Sequence, residues 1–174
     1  MSKFHIEQPG PHLDQMVRQT RAHHVALSSL ADLKASVLLT TAALVVPLTL
    51  RLTARDDLRV AGFVMIGGCL LTVLLAGYGT MPKFGARKAG RKPGRLDLLF
   101  FGDIGDLEYD EYLERMQAVM NDPSRVYEMQ LFELYKLGQY LERAKFRYIR
   151  LAYLAFIGGV IASTVTWMIT TWVL

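Results

Sequence analysis

Three stretches without a charged residue decide the fold: ASVLLTTAALVVPLTL (35–50), VAGFVMIGGCLLTVLLAGYGTM (60–81) and LAYLAFIGGVIASTVTWMITTWVL (151–174). A helix needs about 20 apolar residues to cross the hydrocarbon core of a bilayer. The second and third stretches reach that length. The first is shorter, but Lys34 and Arg51 at its ends can bury their aliphatic stems and extend their charges to the headgroups. The sequence therefore predicts an integral membrane protein with three transmembrane helices.

The distribution of charge predicts the orientation of these helices. Lysine and arginine near the ends of membrane spans mark the cytoplasmic side. The net charge is +4, and one basic cluster follows the second stretch while another precedes the third. The N-terminus and the central segment are therefore predicted to be cytoplasmic and the C-terminus to lie outside, although the outer loop carries Arg51, Arg55 and Arg59. The two inner clusters consist of Lys83, Arg87, Lys88, Arg91, Lys92, Arg95, Arg143, Lys145, Arg147 and Arg150.

Helical periodicity predicts an all-α protein whose long helices extend from the membrane into a small cytoplasmic region. Apolar residues recur at helical spacing before the first span. Asp122 and Pro123 suit the N-cap and first turn of another helix, about 50 residues long, that ends as the third span. Long helices that project from the membrane have little core of their own. They can bury their apolar faces against a second copy of the chain, which predicts a homo-oligomer. The predicted divisions are a disordered segment over 1–12, a helix over 13–52, an outer loop over 53–59, a second span over 60–81, a basic loop and cytoplasmic helix over 82–122 with a short strand or buried turn at 96–104, and a last helix over 123–174.

The sequence offers little that favours catalysis. His23 and His24 are adjacent, so they point to different sides of a helix and cannot chelate one ion together. The acidic residues between positions 103 and 114 have no histidine or cysteine nearby, and we interpret them as a solvated face. Neither a P-loop nor a G-x-S-x-G motif occurs. The sequence therefore predicts no enzymatic activity, no metal site and no cofactor.

The basic loop after the second span has two interpretations. Its positive charge would hold the loop in the cytoplasm and contact anionic lipid headgroups. Alternatively, Arg91, Lys92 and Arg95 would bind a phosphate, while the rings of Phe100 and Phe101 would stack on a base. The residues alone leave both interpretations open.

The entrance to the first span carries two opposite charges, Asp32 and Lys34. Being two residues apart, they do not face each other on a helix. Asp32 therefore needs another partner, which Arg147 or Arg150 of the last helix would supply. That contact would be either an ordinary interfacial ion pair or a latch whose release lets the spans move.

Three motifs resemble those of a known protein family. ADLKA (31–35) stands at the entrance to the first span, FFGDI (100–104) is followed by EYLERM (111–116), and KFRYIRLAY (145–153) precedes the last span. In order and spacing they resemble the transmembrane effectors of pyrimidine-cyclase (Pycsar) antiphage systems. The resemblance implies a multi-pass protein of the bacterial inner membrane that senses a cyclic pyrimidine mononucleotide made by a partner cyclase. Such effectors then impair the membrane and cause abortive infection.

This resemblance implies a mechanism for which the chain has suitable parts. A cyclic nucleotide (cUMP or cCMP) would bind the helical cytoplasmic part and shift the population of an oligomeric arrangement, opening a leak lined by the first and third spans. One alternative is a structural or scaffolding membrane protein that recruits a cytoplasmic partner. Another is a small transporter subunit, which the absence of ionisable residues inside the spans disfavours; no nucleic-acid partner is expected. The predicted ligand-binding residues are Arg91, Lys92, Arg95, Phe100, Phe101 and Asp103.

Overall fold

Helices make up nearly all of the regular structure. The computed structural model of this 174-residue chain describes residues 4–81, 97–105 and 107–173, apart from the side chains of Phe101, Gly102 and Val173. Within those residues there is no β-strand, which confirms the predicted all-α fold. The elements are α1 (Pro11–Leu52), a 3-10 turn (Asp56–Leu58), α2 (Arg59–Thr80), α3 (Phe101–Ile104), α4 (Tyr109–Met120), α5 (Pro123–Tyr140), a π-helical segment (Leu141–Phe146) and α6 (Arg147–Val173).

Three helical stretches are long and apolar enough to cross a membrane, as predicted. They are Pro11–Leu52, Asp56–Thr80 and Pro123–Trp172, with lengths of 42, 25 and 50 residues. The third combines α5, the π-helical segment and α6 in one continuous helix. The first and third stretches are much longer than a membrane span requires, so each of them carries polar helix beyond the span. The self-association expected of them stays a prediction.

The chain divides into two compact units. One, here called the polar unit, consists of Met1–Ala26 and Pro82–Tyr140. The other, here called the membrane unit, consists of Leu27–Met81 and Leu141–Leu174. Helix α1 contributes residues 11–26 to the polar unit and residues 27–52 to the membrane unit. The last long helix is divided between the two units as well, at the point where α5 ends and the π-helical segment begins.

Small residues hold the membrane unit together. A β-carbon added to Gly68 of α2 would come within 2.8 Å of the Cα atom of Gly159 of α6, so the two backbones touch there. The hydroxyl of Thr72 in α2 donates to the carbonyl of Ala152 in α6 at 3.5 Å, and that of Ser163 in α6 donates to the carbonyl of Ala61 in α2 at 2.8 Å. Lipid supplies no hydrophobic force between helices, so close backbone approach and hydrogen bonds take its place.

Helix α1 joins this pair of helices through an alanine-rich face. Ala31 and Ala35 are almost fully buried, and Leu38 continues the same face one turn later. These residues form a cluster with Ala76 of α2 and with Ile149 and Ala152 of α6. The spacing of three and four residues places them on one side of the helix, which is why the remaining side of α1 exposes its leucines and valines.

The polar unit has a small core of mixed character. Val17 of α1 is buried against Tyr127 and Leu134 of α5. The Tyr127 hydroxyl donates a 2.6 Å hydrogen bond to the carboxylate of Asp14, which also raises the pKa of this tyrosine. Ile6, from the segment predicted to be disordered, packs against the same cluster.

Local capping sets where the two long helices begin. The carboxylate of Asp122 accepts hydrogen bonds from the N–H groups of Ser124 (3.0 Å) and Arg125 (3.4 Å), as predicted for an N-cap. Helix α1 begins at Pro11, two residues before the predicted start, because proline fits the first turn of a helix.

The segment after the basic loop is a turn followed by one turn of helix. Asp97 accepts a hydrogen bond from the N–H of Leu99 at 3.2 Å and thereby folds the backbone into an Asx-type turn. Asp97 and Leu98 are buried, and α3 follows directly. Over residues 97–104, therefore, the strand alternative is wrong and the buried turn is correct.

Candidate functional site

A buried lysine in the π-helical segment forms the most tightly held polar cluster of the membrane unit. The side chain of Lys145 is 7% exposed. Its ammonium group donates to the carboxylate of Asp32 at 2.7 Å and to the hydroxyl of Ser28 at 2.7 Å. The partner Asp32 is 50% exposed. Because a buried charge is costly without a partner, this ion pair fixes α1 against the start of the last span.

The periodicity of the last helix explains which cation reaches Asp32. Lys145 is buried, and so are Leu141, Ile149 and Ala152, which lie four residues before it and four and seven residues after it. Lys145 therefore faces α1, whereas Arg147 and Arg150 are exposed. The expectation that one of these arginines pairs with Asp32 is wrong in its choice of cation. Lys34 is exposed too, in agreement with its expected position away from Asp32.

A second charged cluster lies in the polar unit, where the 97–104 segment contacts α5. The ammonium group of Lys136 lies 3.5 Å from the carboxylate of Asp97 and 3.4 Å from that of Asp103. It also sits 4.5 Å from the centre of the Phe132 ring. Asp97 is 1% exposed and Asp103 11% exposed, so two nearly buried carboxylates share one cation. The N–H of Asp97 also donates to Asp103, at 3.3 Å.

An ion pair between α1 and α5 adjoins this cluster. Arg21 and Glu133 lie 3.0 Å apart, and the side chain of Glu133 is 14% exposed. Burial raises the pKa of Glu133, and the negative charge of Asp97 raises it further, while Arg21 opposes both. The net effect is a carboxyl group that ionises less readily than a free glutamate.

The structure places the predicted ligand-binding residues only in part. Arg91, Lys92 and Arg95 lie outside the described residues, and so does the side chain of Phe101. Phe100 is 38% exposed, and its role in stacking stays a prediction. The N–H of Asp103 donates to the carbonyl of Phe100 at 3.0 Å, and its carboxylate belongs to the Lys136 cluster. Both residues follow the basic loop in the sequence, and Asp103 is joined to α5 through Lys136.

The histidines occupy different environments, as their adjacency predicts. His23 is exposed, whereas His24 is partly buried and lies against Gly138 of α5. In the described residues, no group of three or more potential metal ligands comes together.

Comparison with protein families identifies the chain. The PycTM family model, described as the Pycsar effector protein domain, matches residues 15–173. The chain belongs to this family. No curated protein and no solved structure matches it. As a Pycsar effector with three helices able to span a membrane, it is a membrane effector of Pycsar antiphage defence.

The three sequence motifs of this Pycsar effector now have structural places. Asp32 of the first motif pairs with Lys145, the first residue of the third motif. Asp103 of the second motif binds Lys136. The first and third motifs therefore supply both charges of an ion pair in the membrane unit, and the second motif supplies one charge of a cluster in the polar unit.

Sequence reasoning missed four members of these clusters: Ser28, Asp97, Lys136 and Lys145 as the partner of Asp32. Lys145 carried a usable signal, because it is one of four cations before the last span and Asp32 needed a cation. The burial of Asp97 and the choice of Lys136 depend on long-range packing, for which the local sequence has no signal.

Proposed function

We propose that this membrane effector is activated by a cyclic pyrimidine mononucleotide, cUMP or cCMP, made by a partner cyclase. Activation impairs the bacterial inner membrane and stops growth before phage spread, which is abortive infection. The effector itself acts without enzymatic chemistry. The observation that carries this proposal is the match of the Pycsar effector family to residues 15–173.

The ligand would bind where the basic loop meets the 97–104 segment. Guanidinium and ammonium groups of Arg91, Lys92 and Arg95 would bind the cyclic phosphate, and Phe100 with Phe101 would stack on the base. Two features support this location. Phe100 is exposed, and the neighbouring Asp103 is tied to α5 through Lys136. A ligand there would act on the helix that continues into the last span.

Gating would operate through the contact between Lys145 and Asp32. In this proposal the contact is a latch that holds α1 against α6 in the resting state. Shifting a two-state equilibrium from 1:99 to 99:1 takes about 5.5 kcal/mol of differential binding. Breaking a buried ion pair costs about 3–5 kcal/mol. Because these energies are similar, release of this one contact would be a large part of the transition, and the leak would be lined by α1 and α6.

Topology and assembly complete the proposal. The N-terminus and the central segment face the cytoplasm, where the ligand is made, and the C-terminus lies outside. The basic clusters flanking the central segment support this orientation. The effector acts as a homo-oligomer, since three narrow spans of one copy enclose little space for a leak.

Dye release from liposomes tests the proposal. The purified full-length chain is reconstituted with a trapped dye, and cUMP, cCMP or cyclic AMP is added outside vesicles whose protein orientation is known. We expect release with one pyrimidine nucleotide and none with cyclic AMP. A protein that releases no dye with either pyrimidine nucleotide contradicts the proposal and favours the scaffolding alternative.

A pair of loop variants locates the ligand. Substitution of Arg91, Lys92 and Arg95 by glutamine should abolish nucleotide-dependent release. The matched control substitutes Lys83, Arg87 and Lys88 by glutamine, which removes the same charge from the same loop. Equal losses in both variants would show that the loop acts through its total charge, and would contradict the assignment of the site.

A further inference from the structure

Three arginines on one face of the last helix have no ion-pair partner among the residues that the structure describes. Arg143, Arg147 and Arg150 are exposed, and the described part of the chain supplies no ion pair to any of them. Their spacing of four and three residues places them on one side of the helix. In contrast, five other arginines pair with carboxylates, namely Arg21, Arg55, Arg59, Arg115 and Arg125. Like charges on one helix face repel each other, so this stripe favours a bound anion.

The same face becomes apolar as the helix continues into the span. Leu154, Ile157 and Ile161 follow at helical spacing and are 55%, 50% and 58% exposed. Between them lies Gly158, and a β-carbon there would meet no atom within 4 Å. The missing side chain leaves a shallow notch between exposed aliphatic side chains. One continuous face thus carries positive charge first and an apolar groove after it.

Two of the three arginines fit the surface layer of a bilayer: Arg147 and Arg150 lie about 4.5 Å apart along the helix, and Arg143 lies just beyond that layer. Arg143 and Arg150 are separated by about 10 Å along the helix at 1.5 Å per residue. The polar layer on each side of the hydrocarbon core is about 5–7 Å thick. The ring of Tyr148 contacts that of Tyr78 at 4.6 Å between centroids, within the same turns. Tyrosines concentrate at the membrane–water interface, which agrees with headgroups lying at this level.

We infer that this face binds one anionic glycerophospholipid, with its phosphate held by Arg143, Arg147 and Arg150 and an acyl chain along Leu154, Gly158 and Ile161. Guanidinium groups bind phosphate oxygens in pairs. The apolar groove directly below the arginines commits the site to a lipid, because free phosphate would use only the charged part. This site goes beyond the proposed function and does not depend on a nucleotide.

The consequence is that lipid composition would affect the position of the last helix. On the same two turns, Lys145 points to Asp32 and the arginines point outward. An anionic lipid would therefore stabilise the helix on the side opposite the ion pair, and would oppose its rotation.

Fluorescence quenching by brominated lipids tests the site locally. The full-length chain carries Leu154→Trp as the reporter, in a background of Trp167→Phe and Trp172→Phe. It is reconstituted in phosphatidylcholine containing equal fractions of brominated phosphatidylglycerol or brominated phosphatidylcholine. We expect a several-fold stronger association with phosphatidylglycerol at the reporter. Substituting all three arginines by glutamine should reduce this preference to near unity, while substituting them by lysine should retain most of it.

Two controls separate a site from general attraction. A variant with Arg18, Arg115 and Arg125 substituted by glutamine loses the same charge elsewhere and should keep the preference. A reporter at Leu74→Trp, 70% exposed on α2, should show no preference. Circular dichroism in the same vesicles checks that the glutamine triple variant keeps its helix content.

Several outcomes would overturn the inference. Preference retained by the glutamine triple variant would exclude the arginines. Equal preference at Leu74→Trp would indicate charge attraction over the whole surface. Loss of preference in millimolar inorganic phosphate, but not in chloride of the same ionic strength, would show that free phosphate is the ligand.

Discussion

The two units use opposite arrangements of buried charge. In the membrane unit the buried member is a cation, Lys145, and its partner Asp32 is half exposed. In the polar unit the buried member is an anion, Asp97, and its partner Lys136 is 31% exposed. The contacts differ as well, at 2.7 Å in the first case and 3.5 Å in the second.

This difference indicates which substitution should destabilise each unit the most. Removing the exposed partner leaves a buried charge without compensation, which is costly, whereas removing the buried residue leaves a group that water can reach. Asp97 retains a backbone N–H donor from Leu99 when Lys136 is absent. Lys145 retains only the hydroxyl of Ser28 when Asp32 is absent. We therefore expect the larger effects in the membrane unit.

The largest effect should come from Asp32→Asn. It leaves the Lys145 ammonium buried without an anion, and should lower the free energy of unfolding by about 3–5 kcal/mol. Lys145→Met should cost about 1 kcal/mol or less, because Asp32 is exposed enough to be hydrated. Thermal unfolding in detergent measures both, with Lys34→Met as the control for loss of an exposed charge. A larger loss of stability in Lys145→Met than in Asp32→Asn would contradict this prediction.

A second, smaller effect should follow Lys136→Met in the polar unit. The Asp97 carboxylate then keeps the N–H donor of Leu99, and the Asp103 carboxylate keeps that of Asp97, so the expected loss is about 2 kcal/mol. Asp97→Asn removes the buried charge and should cost less than Lys136→Met. Hydrogen exchange of residues 97–104, measured by mass spectrometry, reports this loss directly. If the two variants exchange equally fast, the charge of Asp97 does not matter to the polar unit.

The smallest effect concerns pH and Glu133. Because its pKa is raised in the folded state above the ordinary 4.5, protonation stabilises the fold. That contribution is complete below pH 4.5 and is lost as the pH rises through the pKa of the folded state. Glu133→Gln should remove this part of the pH dependence, whereas the exposed-site variant Glu114→Gln should keep it. Unfolding curves in detergent across this pH range give the comparison, and parallel curves for both variants would refute it.

The parts of the fold that depend on local sequence were predictable. Hydropathy predicts the three spans, and Asp122 with Pro123 predicts the start of α5, because each of these signals lies within a few residues. The need of Asp32 for a cation also followed from helix geometry. The identity of that cation did not, because Lys145, Arg147 and Arg150 all precede the last span, and the packing of the last helix against α1 decides which of them is buried.

The candidate ligand site was less predictable than the fold. The exposed ring of Phe100 agrees with a stacking role, but Asp103 turned out to be engaged with Lys136. That contact joins residues 33 positions apart, so it depends on how α5 packs rather than on any motif. Sequence alone suggested the residue types suited to a phosphate and a base, and tertiary packing decides which of them are available.

The contact between Gly68 and Gly159 restricts how the effector can move. Because their main chains touch, α2 and α6 cannot slide past each other without first separating, so they would move as one rigid body. Within the membrane unit, α1 is held through Ala31, Ala35 and Leu38 and through the contacts of Lys145, so in the proposed mechanism α1 is the helix that moves. A leak through the bilayer would then open at the interface between α1 and this helix pair. A bulky residue in place of Gly68 or Gly159 would push α2 and α6 apart.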